Sequence, residues 1–360
     1  SLGQNNQGAP TDRSSPVQIP GTTWSELTFS NSVLALKTDG TLWGWGNGSS
    51  GMPGLSNQTQ RSSPTQIPGT TWSKLVKSQG GYGVAFAHKT DGTLWTWGYN
   101  DEGALGINNR TSYSSPVQLP GTTWSITSSD GRSSFGIKTD GTLWAWGYNQ
   151  QGRLGLRPNI PSGQGEEMYS SPVQMAGNPG TGGRETGWVA VVPRMAINED
   201  GTLWRWGPAD NGQGGNNDNN QSLSMIQIPG TTWGQGMNKI STTPSNTGAI
   251  KTDGTLWTWG RNDNFGQLGQ NDRTNRSSPV QVPGTTWSSI HVGAELMRAT
   301  KTDGTMWIWG RNDDERKGNL GLSNVGVHRS SPTQIPGTLW SQKVGGMAGY
   351  AAAQLSLKKS

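Results

Sequence analysis

Three histidines, His88, His291 and His328, are the side chains here best suited to taking and returning a proton near neutral pH. They stand at non-equivalent positions in different stretches, so no metal triad is read from them, and His88 reads as an ordinary half-buried residue at a strand end. The chain has no Cys, which removes thiolate metal sites, disulfides and a Cys nucleophile together. Serine is plentiful, but no Gly-x-Ser-x-Gly turn sits between a strand and a helix. Asn262-Asp263-Asn264 and Asn312-Asp313-Asp314-Glu315 carry oxygens that suit Ca²⁺ but lack the spacing of a calcium loop. Turns closed by Asn and Asp side chains account for the same residues. The expectation is a chain that is not an enzyme, with no catalytic residue, metal or cofactor.

The elements around these residues are set by an unusual composition. Only 30% of the 360 residues are apolar and 14% charged, while 55 Gly and 20 Pro accompany 19 Trp. Tryptophan is what such a chain can bury, at about 200 Å² apiece. No apolar run approaches the roughly twenty residues of a spanning helix, so membrane insertion is not expected. The net charge of +5 is dispersed. Lys37, Lys89, Lys138, Lys251 and Lys301 recur at one repeat position two residues before an Asp, which reads as a solvated turn and makes nucleic acid an unlikely partner.

Those lysines open a repeat. Lys89-Thr90-Asp91-Gly92-Thr93-Leu94-Trp95-Thr96-Trp97-Gly98 recurs around Trp43, Trp144, Trp204, Trp257 and Trp307, six copies in all. Ser62-Ser63-Pro64-Thr65-Gln66-Ile67-Pro68-Gly69-Thr70-Thr71-Trp72 recurs around Trp24, Trp124, Trp188, Trp233, Trp287 and Trp340, seven in all. Every Trp belongs to one of these segments. Each unit reads as four strands: Trp72 to Val76, Val84 to Lys89, Thr93 to Gly98 after a type I′ turn at Asp91-Gly92, and an edge strand from Pro116 to Leu119. The Gln repeated in that edge strand, as at Gln66 and Gln118, reads as a structural side chain bonded to another blade or a loop.

Four-stranded units repeated radially make an all-β propeller. Counting the Pro-Gly segments gives one seven-bladed domain over residues 1–360, its ring closed by an N-terminal strand at residues 14–19, with Pro16 to Ile19 as the fourth strand of the last blade. Leu355 to Ser360 match Leu34 to Asp39, so the last blade lacks its Trp hairpin strand. That strand is expected from a continuation of the chain or from a partner segment.

Asp140 to Gly155, with Asp91 to Gly106 close to it, carry Asp-Gly-Thr-Leu-Trp-x-Trp-Gly-x-Asn-x-x-Gly-x-Leu-Gly, which resembles the regulator-of-chromosome-condensation repeat. The resemblance covers essentially the whole chain and implies a seven-bladed propeller. For function it implies a wide class: exchange factors on chromatin, photoreceptors, secreted inhibitors, and bacterial or viral proteins. The photoreceptor's Gly-Trp-Arg-His-Thr is absent and the family's Gly-x-x-His-Ser has decayed, as at Ser30-Asn31-Ser32-Val33. The near-verbatim copies look most similar to bacterial and marine-virus members. That likeness implies a virion component, tail or receptor-binding, or a cell-surface one, placed on the virion or outside the cell. Thr-Asp-Gly-Thr-x-Trp is also similar to the Asp-box of sialidases, but is a residue shorter.

Positions that repeat build a scaffold, and those that vary are free to make a specific surface. The connection between first and second strands gathers Asn31, Tyr82, Asp130, Arg132, Arg194, Asn246, Glu295, Arg298 and Tyr350 around one rim. The most irregular unit, Arg153 to Arg194, adds a candidate loop with Arg157, Glu166, Glu167, Met168, Tyr169 and Arg184. A tolerated surface loop is the other reading of that insertion. The leading function is a noncatalytic binding or structural propeller contacting a protein or a surface glycan. The alternatives are a carbohydrate-active propeller enzyme and a regulator acting as a nucleotide exchange factor.

Overall fold

The computed structural model describes residues 19–29, 32–49, 51–76, 83–156, 167–175, 185–293, 295–312, 320 and 326–338. Their strands form six antiparallel sheets, each of four strands in chain order. The first holds β1 (Trp24–Phe29), β2 (Ser32–Lys37), β3 (Leu42–Gly46) and β4 (Arg61–Ile67); the second β5 (Trp72–Leu75), β6 (Val84–Lys89), β7 (Leu94–Gly98) and β8 (Tyr113–Gln118). The third holds β9 (Trp124–Ser129), β10 (Ser133–Lys138), β11 (Leu143–Tyr148) and β12 (Met168–Gln174); the fourth β13 (Trp188–Val192), β14 (Met195–Asn198), β15 (Leu203–Gly207) and β16 (Ser222–Ile228). In the fifth are β17 (Ile240–Thr242), β18 (Asn246–Ile250), β19 (Leu256–Gly260) and β20 (Arg276–Gln281); in the sixth β21 (Trp287–Val292), β22 (Leu296–Lys301), β23 (Met306–Gly310) and β24 (Arg329–Ile335).

The fold is thus an all-β propeller of four-stranded blades, but the described residues make six blades and not the expected seven. A blade needs a Trp hairpin for its second and third strands, and the chain has six hairpins. Counting Pro-Gly segments gives one more than the blades seen among the described residues. The expected closing strand at residues 14–19, apart from Ile19, and the stretch from Trp340 to Ser360 lie outside the described residues.

First strands of successive blades pack on one another, β9 on β13, β13 on β17 and β17 on β21, and so lie at the centre. Side chains satisfy part of their inner edges: Leu75 N donates to Glu26 Oε2 at 2.7 Å, Lys74 Nζ to Ser125 O at 3.3 Å, and Val292 N to Ser241 Oγ at 3.0 Å. Fourth strands are outermost and partly exposed. Pro64, Pro116, Pro172, Pro279 and Pro332 suit such an edge because they have no N–H to leave unpaired. The repeated Gln does not bridge blades: Gln66, Gln118, Gln174, Gln227, Gln281 and Gln334 are all exposed.

The hairpin turn is longer than a type I′ pair. Gly92 N donates to Lys89 O at 3.1 Å and Lys89 N to Thr93 O at 2.9 Å, so three residues fill the loop and only Gly92, at φ +81°, is left-handed. That is a type I turn closed by a glycine bulge. Asp91 Oδ1 accepts from the N–H and the hydroxyl of Thr93, whose Oγ1 accepts from Trp95 Nε1 at 2.8 Å. The Thr93 bonds hold the Asp91 carboxyl below the usual carboxylate range. The lysines expected in solvent instead lie on the tryptophans: Lys89 Nζ is 3.8 Å from the Trp95 ring centroid and 4.9 Å from that of Trp72.

A second device joins blades. Trp97, Trp146, Trp206, Trp259 and Trp309 are fully buried, and each indole N–H donates to a main-chain carbonyl of the preceding blade, those of Met52, Ala104, Arg153, Gln213 and Gln267 at 2.8–2.9 Å. Two residues after each carbonyl, a glycine of positive φ rests on the same ring. A Cβ on Gly106 would lie 2.7 Å from Trp146 Nε1. The repeat's Asn holds this turn: Asn100 Oδ1 accepts from Leu105 N and its amide donates to Asn109 O and Thr111 O. The Gly-x-Leu-Gly signature is therefore the seat for the next blade's Trp.

Candidate functional site

In an antiparallel four-stranded blade, the first-to-second and third-to-fourth connections leave at the same end. The hairpins and Pro-Gly segments occupy the other. The first end carries most of the residues that vary between copies, and blades two to four bring charged ones together there.

Asp130 sits in the β9–β10 connection, where its Oδ1 accepts from Arg132 N at 3.1 Å and Ser133 N at 2.8 Å. Its Oδ2 is 3.7 Å from Arg153 in the β11–β12 connection. Arg132 reaches back to Glu102 of the second blade at 3.4 Å and lies over the Tyr148 ring, 5.3 Å from its centroid. Arg194 closes the tight β13–β14 turn at φ +68°, a left-handed conformation that non-glycine residues adopt at a cost of about 1–2 kcal/mol. Burial lowers the pKa of its guanidinium, the charge of Arg153 lowers it further, and Asp130 opposes both.

Glu167 and Tyr169 join the same end of the third blade. Tyr169 Oη donates to Glu167 Oε2 at 3.3 Å and Asn149 Nδ2 donates to it at 2.9 Å. Burial, then Glu167, pushes the Tyr169 phenol up. A second cluster lies across blades five and six, where one Arg311 nitrogen bonds both Glu295 oxygens at 3.1 and 3.2 Å and the guanidinium stands 4.8 Å from the Phe265 centroid.

Of the other expected rim residues, Asn246 is buried and donates through its amide to Arg261 O. Arg298 lies inside β22, buried opposite His291, and burial pushes its pKa down to about 10. Both are interior. Asn31, Tyr82, Tyr350, Arg157, Glu166 and Arg184 lie outside the described residues.

Glu102, Arg153, Phe265 and Arg311 belong to the site but were not anticipated. Each sits in a third-to-fourth connection, and its variation between repeats is the signal that would have found it. Paired this way, the carboxylates suit exchange of ion pairs with a charged partner better than proton transfer. Among the described residues no group of three His, Asp or Glu could hold a metal ion.

Residues 91–129, 140–191 and 253–297 match the regulator of chromosome condensation (RCC1) repeat. Those three segments are similar to RCC1 repeats. A curated relative, the mitochondrial RCC1 domain-containing protein RUG3 of Arabidopsis thaliana, is 27% identical over 276 residues, 69% of this chain and 55% of its own. The chain thus spans about half the length of that relative. Among solved structures, yeast Prp20p, described with its binding to Gsp1p and histones, superposes with a TM-score of 0.71 at 18% identity, covering 93% of this chain and 82% of Prp20p. Human WBSCR16 gives 0.75 at 18%, covering 99% and 94%. At such identities these show a shared fold.

The comparisons correct one expectation and do not show another. The likeness to bacterial and marine-virus members is not shown; the curated relative and the solved structures named here are from a plant, yeast and human. A virion or cell-surface location is overturned, because the curated relative named here is mitochondrial.

Proposed function

We propose that this RCC1-repeat chain is a noncatalytic propeller that binds another protein at the end bearing Glu102, Asp130, Arg132, Arg153 and Arg194. The carrying observation is that these variable residues, from three successive blades, converge: Arg132 pairs with Glu102 across a blade boundary, Asp130 pairs with Arg153 within the third blade, and the Asp130 charge acts on Arg194 of the fourth. The repeated Asp, Thr, Trp and Asn side chains are meanwhile engaged in the scaffold. Arg194 adds support, since a charged residue in a left-handed turn costs stability that a scaffold alone has no reason to spend. Prp20p is described with its binding to Gsp1p and histones and in complex with Kap60, which supports a protein partner over a glycan.

The test exchanges the charges of one ion pair. Glu102→Arg with Arg132→Glu keeps the pair but inverts the surface. A partner captured by the wild-type chain and identified by crosslinking should bind the exchanged variant at least tenfold more weakly. Lys301→Met, at the opposite end, should bind it normally. Undiminished binding by the exchanged variant would overturn the proposal. Accelerated nucleotide release from a small GTPase, absent in the exchanged variant, would narrow the partner to that class.

A further inference from the structure

Where the third and fourth blades meet at the charged end, guanidinium groups outnumber the carboxylates that reach them. Arg132 is met by Glu102 of the second blade at 3.4 Å. Asp130 is left to face both Arg153 and Arg194. Its Oδ1 already accepts from the N–H groups of Arg132 and Ser133, and its Oδ2 stands 3.7 Å from Arg153, beyond hydrogen-bond length. The charges acting on Arg194 are Asp130, which favours its charged form, and Arg153, which opposes it. Among the described residues the Arg194 guanidinium has no hydrogen bond and no ion pair.

Other arginines of the fold are satisfied. Arg205, buried in the same blade as Arg194, donates to Gly207 O, Asn220 O and Asp218 Oδ1. Arg311 meets both oxygens of Glu295. Arg194 is only 5% exposed, yet it is held at φ +68° with its charge unmatched. A Cβ on Gly207 would lie 3.2 and 3.3 Å from Arg194 Cδ and Cγ and 3.5 Å from Arg153 Cα, so the bare glycine leaves room for the two arginines to stand together. An interior charge without a partner is unfavourable alone and becomes favourable when an anion arrives.

The way in is through Arg153. Its side chain is 24% exposed and that of Arg132 35%, while Asp130 and Glu102 lie beneath them at 11% each. A partner therefore meets guanidinium first, whose planar fork of N–H groups matches a carboxylate. We propose that Arg153, with the unmatched charge of Arg194 behind it, binds a carboxylate side chain presented by an acidic segment of the protein partner. This rests on the protein-binding reading above and adds to it the partner's charge at the contact.

The probes are a short fluorescent glutamate peptide, the glutamine peptide of equal length, and inorganic phosphate as competitor, titrated against the whole chain by anisotropy. The glutamate peptide should bind saturably and the glutamine peptide should not, with binding weakened as KCl is raised. Arg153→Gln and Arg194→Gly should each weaken the glutamate peptide by about tenfold, and Lys301→Met at the other end should leave it unchanged. Asp130→Asn gives a check of opposite sign. It removes the competing carboxylate while an Oδ1 remains for the two main-chain bonds, so the peptide should bind severalfold more tightly; a purely structural Asp130 predicts weaker binding. Melting curves establish that each variant is folded. Phosphate that displaces the peptide at equal concentration would make this a small-anion site and overturn the peptide as its source. Equal peptide binding by the wild-type chain, Arg153→Gln and Arg194→Gly overturns the proposal. If the Glu102 and Arg132 exchange still weakens the captured partner in that case, the protein-binding reading stands without it.

Discussion

Gly106→Ala tests the seat that joins the second blade to the third. Gly106 has φ +73°, and an added Cβ would stand 2.7 Å from both Trp146 Nε1 and Leu119 Cδ1. The left-handed backbone alone should cost about 1–2 kcal/mol. Overpacking a close-packed interior adds about 1–3 kcal/mol, for roughly 2–5 kcal/mol together. The two parts separate in a cycle with Trp146→Phe, which removes the indole atoms nearest Gly106. Ala104 O then keeps a donor in Ser134 Oγ at 2.8 Å, so that substitution orphans no acceptor. In the Trp146→Phe background Gly106→Ala should keep the backbone share and the Leu119 contact but lose the clash with the indole, leaving a coupling of about 1–2 kcal/mol. Urea unfolding of the four proteins measures it. A cost below about 1 kcal/mol, or an equal cost in both backgrounds, would show that the ring does not rest on this glycine.

Three further outcomes are expected. Burial, then the charge of Lys74, lowers the pKa of His88 to about 4, so the folded chain keeps it neutral while the unfolded chain protonates near pH 6.5. Stability should be complete above pH 6.5 and fall toward pH 4, by roughly 2 kcal/mol at pH 5, and the difference from His88→Gln across that range isolates the group. Arg205, buried where the second and fifth blades have Thr96 and Thr258, bonds the carbonyls of Gly207 and Asn220 and the partly exposed Asp218 at 3.3 Å. Asp218→Asn should cost about 1–2 kcal/mol, Arg205→Thr, which empties its buried volume and leaves the Gly207 and Asn220 carbonyls without their donor, about 3 kcal/mol, and the double variant should fall short of their sum in urea titrations. Arg194→Gly should hold or raise the melting temperature by removing a buried charge and a left-handed side chain, while weakening partner binding in the same capture assay.

The strands were legible because the hairpin writes alternation and turn chemistry into ten consecutive residues. Trp95 and Trp97 share one side of β7, and Asp91-Gly92 marks its start. The blade count was not, because a Pro-Gly-Thr-Thr-Trp copy marks a junction between blades and not a blade. The lysine's place was missed for a related reason: Lys89 touches Trp72, seventeen positions back, as well as Trp95, and a turn read alone shows only Asp91. The rim was half legible. Asp130, Arg132 and Arg194 converge, whereas Arg298 was assigned to a connection but belongs to the strand that follows it. Glu102 meets Arg132 across a blade boundary, a contact fixed by how the blades are set side by side.

The blade-to-blade bond at Trp146 has an evolutionary consequence. Its acceptor is a main-chain carbonyl, so the side chain on that residue is free to be Met52, Ala104, Arg153, Gln213 or Gln267 without altering the joint. Arg153 shows both uses at once: its carbonyl holds the fourth blade while its guanidinium reaches Asp130. The joint between blades and the charge cluster at the rim are thus written on different atoms of the same residue. Such a chain can drift toward a new partner one residue at a time, each step leaving the ring as stable as before.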